Sequence, residues 1–376
     1  MIKKKSSCSI TMFMDLVNSE NGLVGNVGYY TENIEAPVNC VLVCDIGGTN
    51  ARLALVEVGE NKLSIIFVLR ALTKNIHSFT DIILQALEIA HKKYAVIVTK
   101  AVFALPGCPT QNADIWSLPN VGWDADKKEI IQKTSLTDVS FLNDFEAIGY
   151  SIDVLMEKDF VCINPGIRTT HKNKLILGAG TDLGECVIAW DSISGNYVVV
   201  AAEGALADFS GYNNEDLALI TFLQNKLNNG APIRYGNLVS GIGVSRIYQF
   251  FEQQGIYVLT DYSSIIKKHN YDPAVIIQYN NVDECCKKTI DTFKAFYGRV
   301  TKNFALGARA YGVIYLAGGI AAKNIDIFKD GIFMAEFLNT AIYKDLLVQT
   351  PIFIIINEDA GLLGAARFFQ LKNKKF

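Results

Sequence analysis

Two stretches of this chain each lay down three short β-strand patterns in quick succession, and in each the first strand runs into a glycine-rich turn. Residues 41–45, 51–58 and 63–69 form the first trio. Residues 174–177, 185–190 and 197–201 form the second. Short apolar or alternating runs of this length, separated by turn residues, read as strands joined at hairpin spacing. After the first trio, residues 78–93 change to a helical period, with Phe79, Ile82, Ile83, Ala86, Leu87 and Ala90 on one face. Residues 95–105 then read as another strand. Strand, hairpin, hairpin, helix, strand is not the strict alternation of a plain dinucleotide-binding domain. Its recurrence points to a duplicated domain plan, although no residue-level repeat of fixed period accompanies it.

The rest of the chain fills in around these trios. Residues 139–142 read as a strand and 144–156 as the helix after it. From 213 onward the chain turns mainly helical, with long candidates at 214–226, 243–254 and 282–310, strands at 313–317 and 351–356, and a closing helix at 361–371. The expected architecture is α/β, with mixed sheets flanked by helices. Ligands in such folds bind outside the carboxyl ends of strands. Residues 1–37 lack clear periodicity and read as an irregular N-terminal extension.

Composition excludes several classes. The chain has 376 residues, with 50% apolar and 19% charged residues, enough for two or three ordinary globular domains. A formal net charge of -3 is unlike the basic footprint of a nucleic-acid binder. No stretch reaches the ~18 apolar residues of a membrane span. The basic start and the apolar patch at 10–14, broken by Asp15, read as an extension and not as a secretory signal. The eight cysteines include no Cys-x-x-Cys pair and read as reduced thiols of a cytoplasmic protein. His77, His91, His171 and His269 lie outside every motif and read as surface or loop residues.

Five motifs carry candidate chemistry. The first, Asp45-Ile46-Gly47-Gly48-Thr49-Asn50-Ala51-Arg52, lies between two strands. Paired glycines leave backbone N–H groups open to an anion, and a carboxylate at the strand end can hold Mg²⁺ through water. A plain hairpin turn would also use Gly-Gly. The second, Leu142-Asn143-Asp144-Phe145-Glu146-Ala147, sits at a strand-to-helix junction. A carboxylate there can take a proton from a substrate hydroxyl, as phosphoryl transfer requires, yet Asn and Asp are also the common helix caps. The third, Gly178-Ala179-Gly180-Thr181-Asp182-Leu183-Gly184, echoes the first. The fourth, Leu316-Ala317-Gly318-Gly319-Ile320, suits either a nucleoside lying on backbone or a simple turn into a helix. In the fifth, residues 359–366, the small side chains suit close packing of the last helix.

Each motif is weak by itself, but their order along one chain is specific. Asp-x-Gly-Gly-Thr, Leu-Asn-Asp-Phe, Gly-x-Gly-Thr, Ala-Gly-Gly and Gly-Leu-Leu-Gly in succession resemble bacterial-type glucokinases, of the hexokinase and actin-like ATPase superfamily with its ribonuclease H-like fold. The resemblance runs over about residues 41–369. It includes Leu118-Pro119-Asn120-Val121-Gly122-Trp123, Gly298-Arg299 and Asn303-Phe304-Ala305-Leu306. It implies a two-lobed kinase using ATP and Mg²⁺ to phosphorylate the 6-hydroxyl of a hexose, with glucose as the default sugar. Asp144 would be the general base, and Asn120, Asn143 and Glu203 would bind the sugar. Gly47, Gly48, Thr49 and Asn50 would cradle the terminal phosphates, with Gly180 and Thr181 at the second phosphate turn. Gly318 and Gly319 would flank the adenosine, and Asp45 would hold Mg²⁺ through water. The domains implied are a small α/β domain of 38–154 with 359–376 and a large one of 155–358, closing about hinges near 145–155 and 356–361. A homodimer is the default assembly.

Three positions depart from the resembled pattern. Leu206 replaces a sugar-contacting His, Gly236 stands where an acidic sugar ligand is expected, and Asp182 replaces the middle glycine of the second phosphate turn. Losing hydrogen bonds worth roughly 1–3 kcal/mol each would weaken glucose binding by orders of magnitude. Asp182 would either repel ATP or assist Mg²⁺. The departures leave room for a kinase acting on a different sugar, or for a degenerate relative that binds sugar or nucleotide as a sensor or docking module. An actin-like ATPase without a sugar site leaves the Leu-Pro-Asn-x-x-Trp and Glu203-Gly204 matches unexplained.

Overall fold

A computed structural model describes residues 13–18, 24–30, 37–118, 121–227 and 230–374. The described chain forms two compact units. One takes the residues up to Leu155 together with those from Glu358 onward, and the other takes Met156–Asn357.

The first unit is built on a seven-stranded sheet. Its strands are β1 (Phe13–Asn18), β2 (Val24–Tyr29), β3 (Cys40–Ile46), β4 (Asn50–Val58), β5 (Leu63–Leu72), β6 (Lys100–Leu105) and, after the short strands β7 (Cys108–Pro109), β8 (Ile115–Ser117) and β9 (Ala125–Asp126), β10 (Asp138–Asn143). Strands β3, β4 and β5 are antiparallel neighbours, and β6 and β10 run parallel to β3. Helix α1 (Phe79–Tyr94) starts at Ser78, whose side chain accepts the Asp81 N–H, and ends where Ala95 turns left-handed. Of the face expected from the sequence, Phe79, Ile82, Ile83, Ala86 and Ala90 are buried. Each large side chain among them contributes roughly 1.5–3 kcal/mol by leaving water. Helix α2 (Lys127–Lys133), helix α3 (Asp144–Ser151) and the C-terminal helix (Ala360–Lys372) complete the unit.

Three expectations change here. Part of the supposed irregular extension is strand: β2 pairs with β5, and Val27 is fully buried. Strand β6 begins at Lys100 and not at 95, because the left-handed Ala95 ends α1 and sends the chain into a loop. Helix α3 stops at Ser151, short of 156.

The second unit carries a six-stranded sheet of β11 (Phe160–Asn164), β12 (Lys174–Ala179), β13 (Leu183–Asp191), β14 (Asn196–Ala202), β15 (Val313–Ala317) and β16 (Ile352–Ile355). Strands β12, β13 and β14 are antiparallel neighbours, and β15 and β16 run parallel to β12. The spatial order β14-β13-β12-β15-β16 therefore repeats β5-β4-β3-β6-β10 of the first unit. The duplication that the hairpin trios suggest is a duplication of topology. Helices α4 (Asn214–Leu227), α5 (Gly241–Gln254), α6 (Asp261–Lys268), α7 (Pro273–Gln278), α8 (Glu284–Gly307), α9 (Gly319–Lys323), α10 (Ile332–Phe337) and α11 (Lys344–Val348) pack with it. The central helix, α8, buries Phe293, Phe296, Tyr297 and Val300. The Tyr297 hydroxyl donates to Leu177 O at 3.1 Å and accepts the Ala179 N–H at 3.3 Å, pinning the end of β12. No helix among the described residues is long and apolar enough to cross a membrane.

Candidate active site

In the first unit the candidate residues gather at the carboxyl ends of the parallel strands. The register sets Asp45 on β3 beside Ala104 on β6, and Leu105 beside Asn143 on β10. Strands β3 and β10 flank β6, so their ends lie about 10 Å apart. The turn 47–50 and the start of α3 thus share one sheet edge.

The turn itself is tight. Gly47 N–H donates to Asn50 O at 2.8 Å, and the Thr73 hydroxyl donates to Gly47 O at 2.7 Å. The turn leaves the Gly48 and Thr49 N–H groups unused, at an exposed tip. Neither Gly47 nor Gly48 has positive φ, and a Cβ at Gly47 would meet only Asn50 O at an ordinary 3.7 Å. The hairpin therefore does not need glycine at 47, and the reason for that glycine lies outside the fold.

Asp45 is more heavily engaged than expected. Its carboxylate is ion-paired with Arg52, and Arg52 also donates to Glu358 O and lies 3.7 Å from Asp359 Oδ1. Burial works against the Arg52 charge, but Asp45, Asp359 and Glu358 outweigh it and raise its pKa. Arg70 lies 3.7 Å from Asp359 and donates to the Tyr30 hydroxyl at 3.1 Å, and that hydroxyl donates to Asp359 at 2.9 Å. Two arginines thus alternate with two aspartates. Gly361 lets the C-terminal helix begin against Asp45, since a Cβ there would lie 2.6 Å from its Oδ2. Farther along, a Cβ at Gly364 would fall 1.6 Å from Ala147 O. The small residues of the fifth motif are there for packing against α3.

Asn143 and Asp144 open α3. Asn143 is the N-cap: its Oδ1 accepts from Phe145 N at 2.9 Å and Glu146 N at 3.3 Å, while its own N–H reaches Glu146 Oε2 at 3.4 Å. Its Oδ1 therefore serves the helix, while its Nδ2 makes a long 3.5 Å hydrogen bond to Gly107 O. Asp144 is the first helical residue, half-buried, and its Oδ1 accepts the Phe145 N–H at 3.0 Å. A carboxylate at this position is of the type that can accept a proton from a hydroxyl. Asn120 lies outside the described residues. Trp123 after it is fixed by stacking on Phe79 at 5.2 Å and by donating to Ile76 O at 3.1 Å.

The second unit repeats the arrangement. Gly178 on β12 pairs with Ala317 on β15, so the turn 180–182 and Gly318-Gly319 leave the same sheet edge. Gly180 N–H donates to Asp182 O at 2.8 Å, and Gly241 N–H, at the start of α5, donates to Gly180 O at 2.8 Å. Ser240 caps α5 by accepting Gly243 N–H at 3.0 Å. The N-terminus of a fourteen-residue helix thus abuts the second turn, which suits an anion. Sequence reasoning missed this use of residues 240–241, whose one local signal is a serine before a helical run. Gly318 and Gly319 separate cleanly. Gly318 has φ +86° and a Cβ there would lie 2.7 Å from Ala179 O, so the fold requires it, whereas Gly319 faces open space.

Glu203 follows β14, with Glu185 opposite Ala202 in the register. Burial first, and then the charge of Asp182, raise the Glu203 pKa. Glu185 is pushed up to about 7 by burial, opposed by the Gly204 N–H and assisted by Glu203. Leu206 is 49% exposed, so it fills no core.

Comparison with known proteins agrees with this geometry. The family model for glucokinase matches residues 42–372. The glucokinase of Nostoc punctiforme is 30% identical over 342 residues, covering 87% of this chain and 97% of that protein. The glucokinase of a Synechocystis strain is 29% identical over 345 residues, covering 86% and 96%. Among solved structures, a glucokinase from an Antarctic psychrotroph superposes with a TM-score of 0.71 at 24% identity, over 88% of this chain and 98% of that one. The glucokinase of Balamuthia mandrillaris in complex with glucose gives 0.77 at 18% identity, over 89% and 96%. The likeness extends to a ROK family glucokinase from Streptomyces griseus in complex with glucose and AMPPNP, with 0.60 at 16% identity over 88% and 99%. Two mixed sheets of one topology flanked by helices are the actin-like ATPase architecture of these kinases. With the family model spanning residues 42–372, most of the chain, the chain belongs to the glucokinase family.

Proposed function

We propose that this protein is an ATP- and Mg²⁺-dependent hexose kinase that phosphorylates the 6-hydroxyl of glucose, with Asp144 as general base. The observation that carries the reading is the position of Asp144, on the first turn of α3 at the sheet edge it shares with the turn 47–50. Asp144 accepts the proton of the attacking hydroxyl. Asn143 offers its Nδ2 to a sugar hydroxyl while its Oδ1 caps the helix. Glu203 accepts from further sugar hydroxyls.

In the first unit, taken by itself, the Gly48 and Thr49 N–H groups suit phosphate oxygens; in the second, the turn at Gly180 and Thr181, backed by the α5 N-terminus, likewise suits an anion. Gly319 leaves space for the adenosine. Asp45 is the carboxylate that would hold Mg²⁺, and the Arg52 ion pair, which offsets part of its charge, is consistent only with a contact through the water such an ion retains. When bound, Mg-ATP supplies the phosphoryl group and the metal charge that offsets its oxygens.

The test is ADP release from Mg-ATP in the presence of glucose, mannose and N-acetylated hexoses. Glucose-dependent release supports the proposal, and Asp144→Ala should lower kcat by about a hundredfold to ten-thousandfold with the melting temperature retained. Absence of release with every sugar, from folded protein, refutes it. Stabilisation by a ligand without turnover would indicate a sensor instead.

A further inference from the structure

Two positions that read from the sequence as separate departures touch each other in the fold. Gly236 is buried, and a Cβ placed on it would lie 2.0 Å from Asp182 Oδ1 and 3.0 Å from its Cγ. The Asp182 carboxylate therefore occupies the space that any side chain at 236 would begin in. It is held there locally, with Oδ1 accepting the Leu183 N–H at 2.8 Å. Gly236 itself is fixed from the other side, since the Ser240 hydroxyl donates to its carbonyl at 2.7 Å. Tyr235 beside it is tied to the 203–209 segment through its N–H to Ala207 O at 3.0 Å.

The groups around that carboxylate decide which ligand it faces. After burial, the Asp182 charge raises the Glu203 pKa, and on Arg246 it opposes the lowering caused first by burial and also by the Arg234 charge. Arg246 is anchored in turn, donating to Asn237 O at 3.2 Å. The turn backbone runs through Gly180 and Thr181, whereas the Asp182 carboxylate lies over Gly236 and acts electrostatically on Glu203. A phosphate seated beside Asp182 and Glu203 would meet like charge. Sugar hydroxyls are donors, and ionised carboxylates are pure acceptors that bind them with charge-assisted hydrogen bonds.

We propose that Asp182 is a specificity-determining residue for the sugar and not for ATP, and that Gly236 is glycine to give its carboxylate room. The inference rests on the hexose kinase reading, and sugar binding tests it separately from turnover. Asp182→Asn preserves shape and removes charge. It should raise the KM for glucose about tenfold to a hundredfold, as loss of a charged hydrogen bond does, while the KM for Mg-ATP changes less than twofold. Gly236→Ala should reproduce the sugar defect by displacing the carboxylate. The double variant Asp182→Gly with Gly236→Ala should be no worse than Asp182→Gly alone, because the methyl then displaces nothing.

Glucose-induced and ATP-induced shifts in melting temperature provide a readout that needs no catalysis. A weakened glucose shift in Asp182→Asn with an unchanged ATP shift supports the inference, even if no sugar is phosphorylated. A change confined to ATP overturns it, as does additivity of the Asp182→Gly and Gly236→Ala defects, and so does a wild-type protein that no tested sugar stabilises.

Discussion

Gly47→Ala separates what the first glycine turn does for the fold from what it does for a ligand. The backbone at Gly47 is not in the left-handed region, and the added Cβ would touch only Asn50 O at 3.7 Å. The native conformation therefore accepts alanine, and the substitution acts mainly on the unfolded chain, which loses conformational freedom. That effect stabilises by about 0.4–1 kcal/mol, or roughly 1–3 °C in Tm for a unit of this size. Binding should move the opposite way. A methyl at the turn holds a phosphate oxygen at van der Waals distance and weakens the bonds donated by Gly48 and Thr49. One charge-assisted hydrogen bond is worth about 1.5–3 kcal/mol, which is about tenfold to a hundredfold in the KM for Mg-ATP. The assays are a thermal melt and steady-state kinetics with ATP varied at saturating glucose. A drop in Tm of several degrees would show that the fold needs this glycine, and an unchanged KM for ATP would show that no phosphate approaches it. Either result refutes the reasoning.

The remaining predictions use other parts of the molecule. Gly364→Ala forces a methyl to within 1.6 Å of Ala147 O unless the C-terminal helix moves off α3, so stability should fall by about 1–3 kcal/mol or more, read as a lower Tm. The Glu185 carboxyl has its pKa raised from 4.5 to about 7 in the folded protein. The fold therefore favours the protonated form, so its contribution to stability is complete below about pH 4.5 and is lost as pH rises towards 7. Denaturation of Glu185→Gln across that window should show a flatter profile than wild type, and a parallel profile would refute the assignment. Asp144→Ala should lower kcat by about a hundredfold to ten-thousandfold with an unchanged melt. Asp182→Asn should weaken sugar binding and spare ATP.

Much of the fold was legible because its signals are local. Strand trios, the amphipathic face of α1 and the residues that punctuate turns depend on neighbours within a few positions. Their order was enough to place both glycine-rich turns, Asp144 at a strand-to-helix junction and the small residues of the last helix. Strand β2 escaped notice because Val24–Tyr29 is short, contains two glycines and alternates poorly. Its partner β5 supplies the hydrogen bonds that make it a strand.

The sequence by itself indicated most of the element order, the family and candidate positions for phosphate, base and sugar ligands, because periodicity and turn chemistry are written into adjacent residues. Only the tertiary structure decided how those positions are spent. It paired Asp45 with Arg52, set the α5 N-terminus against Gly180, and made Gly318 a requirement of packing while leaving Gly319 open. It also joined Asp182 to Gly236 in one shared volume. A side chain's direction and the space it enters depend on atoms brought near from distant parts of the chain, and no pattern of neighbouring residues encodes that proximity.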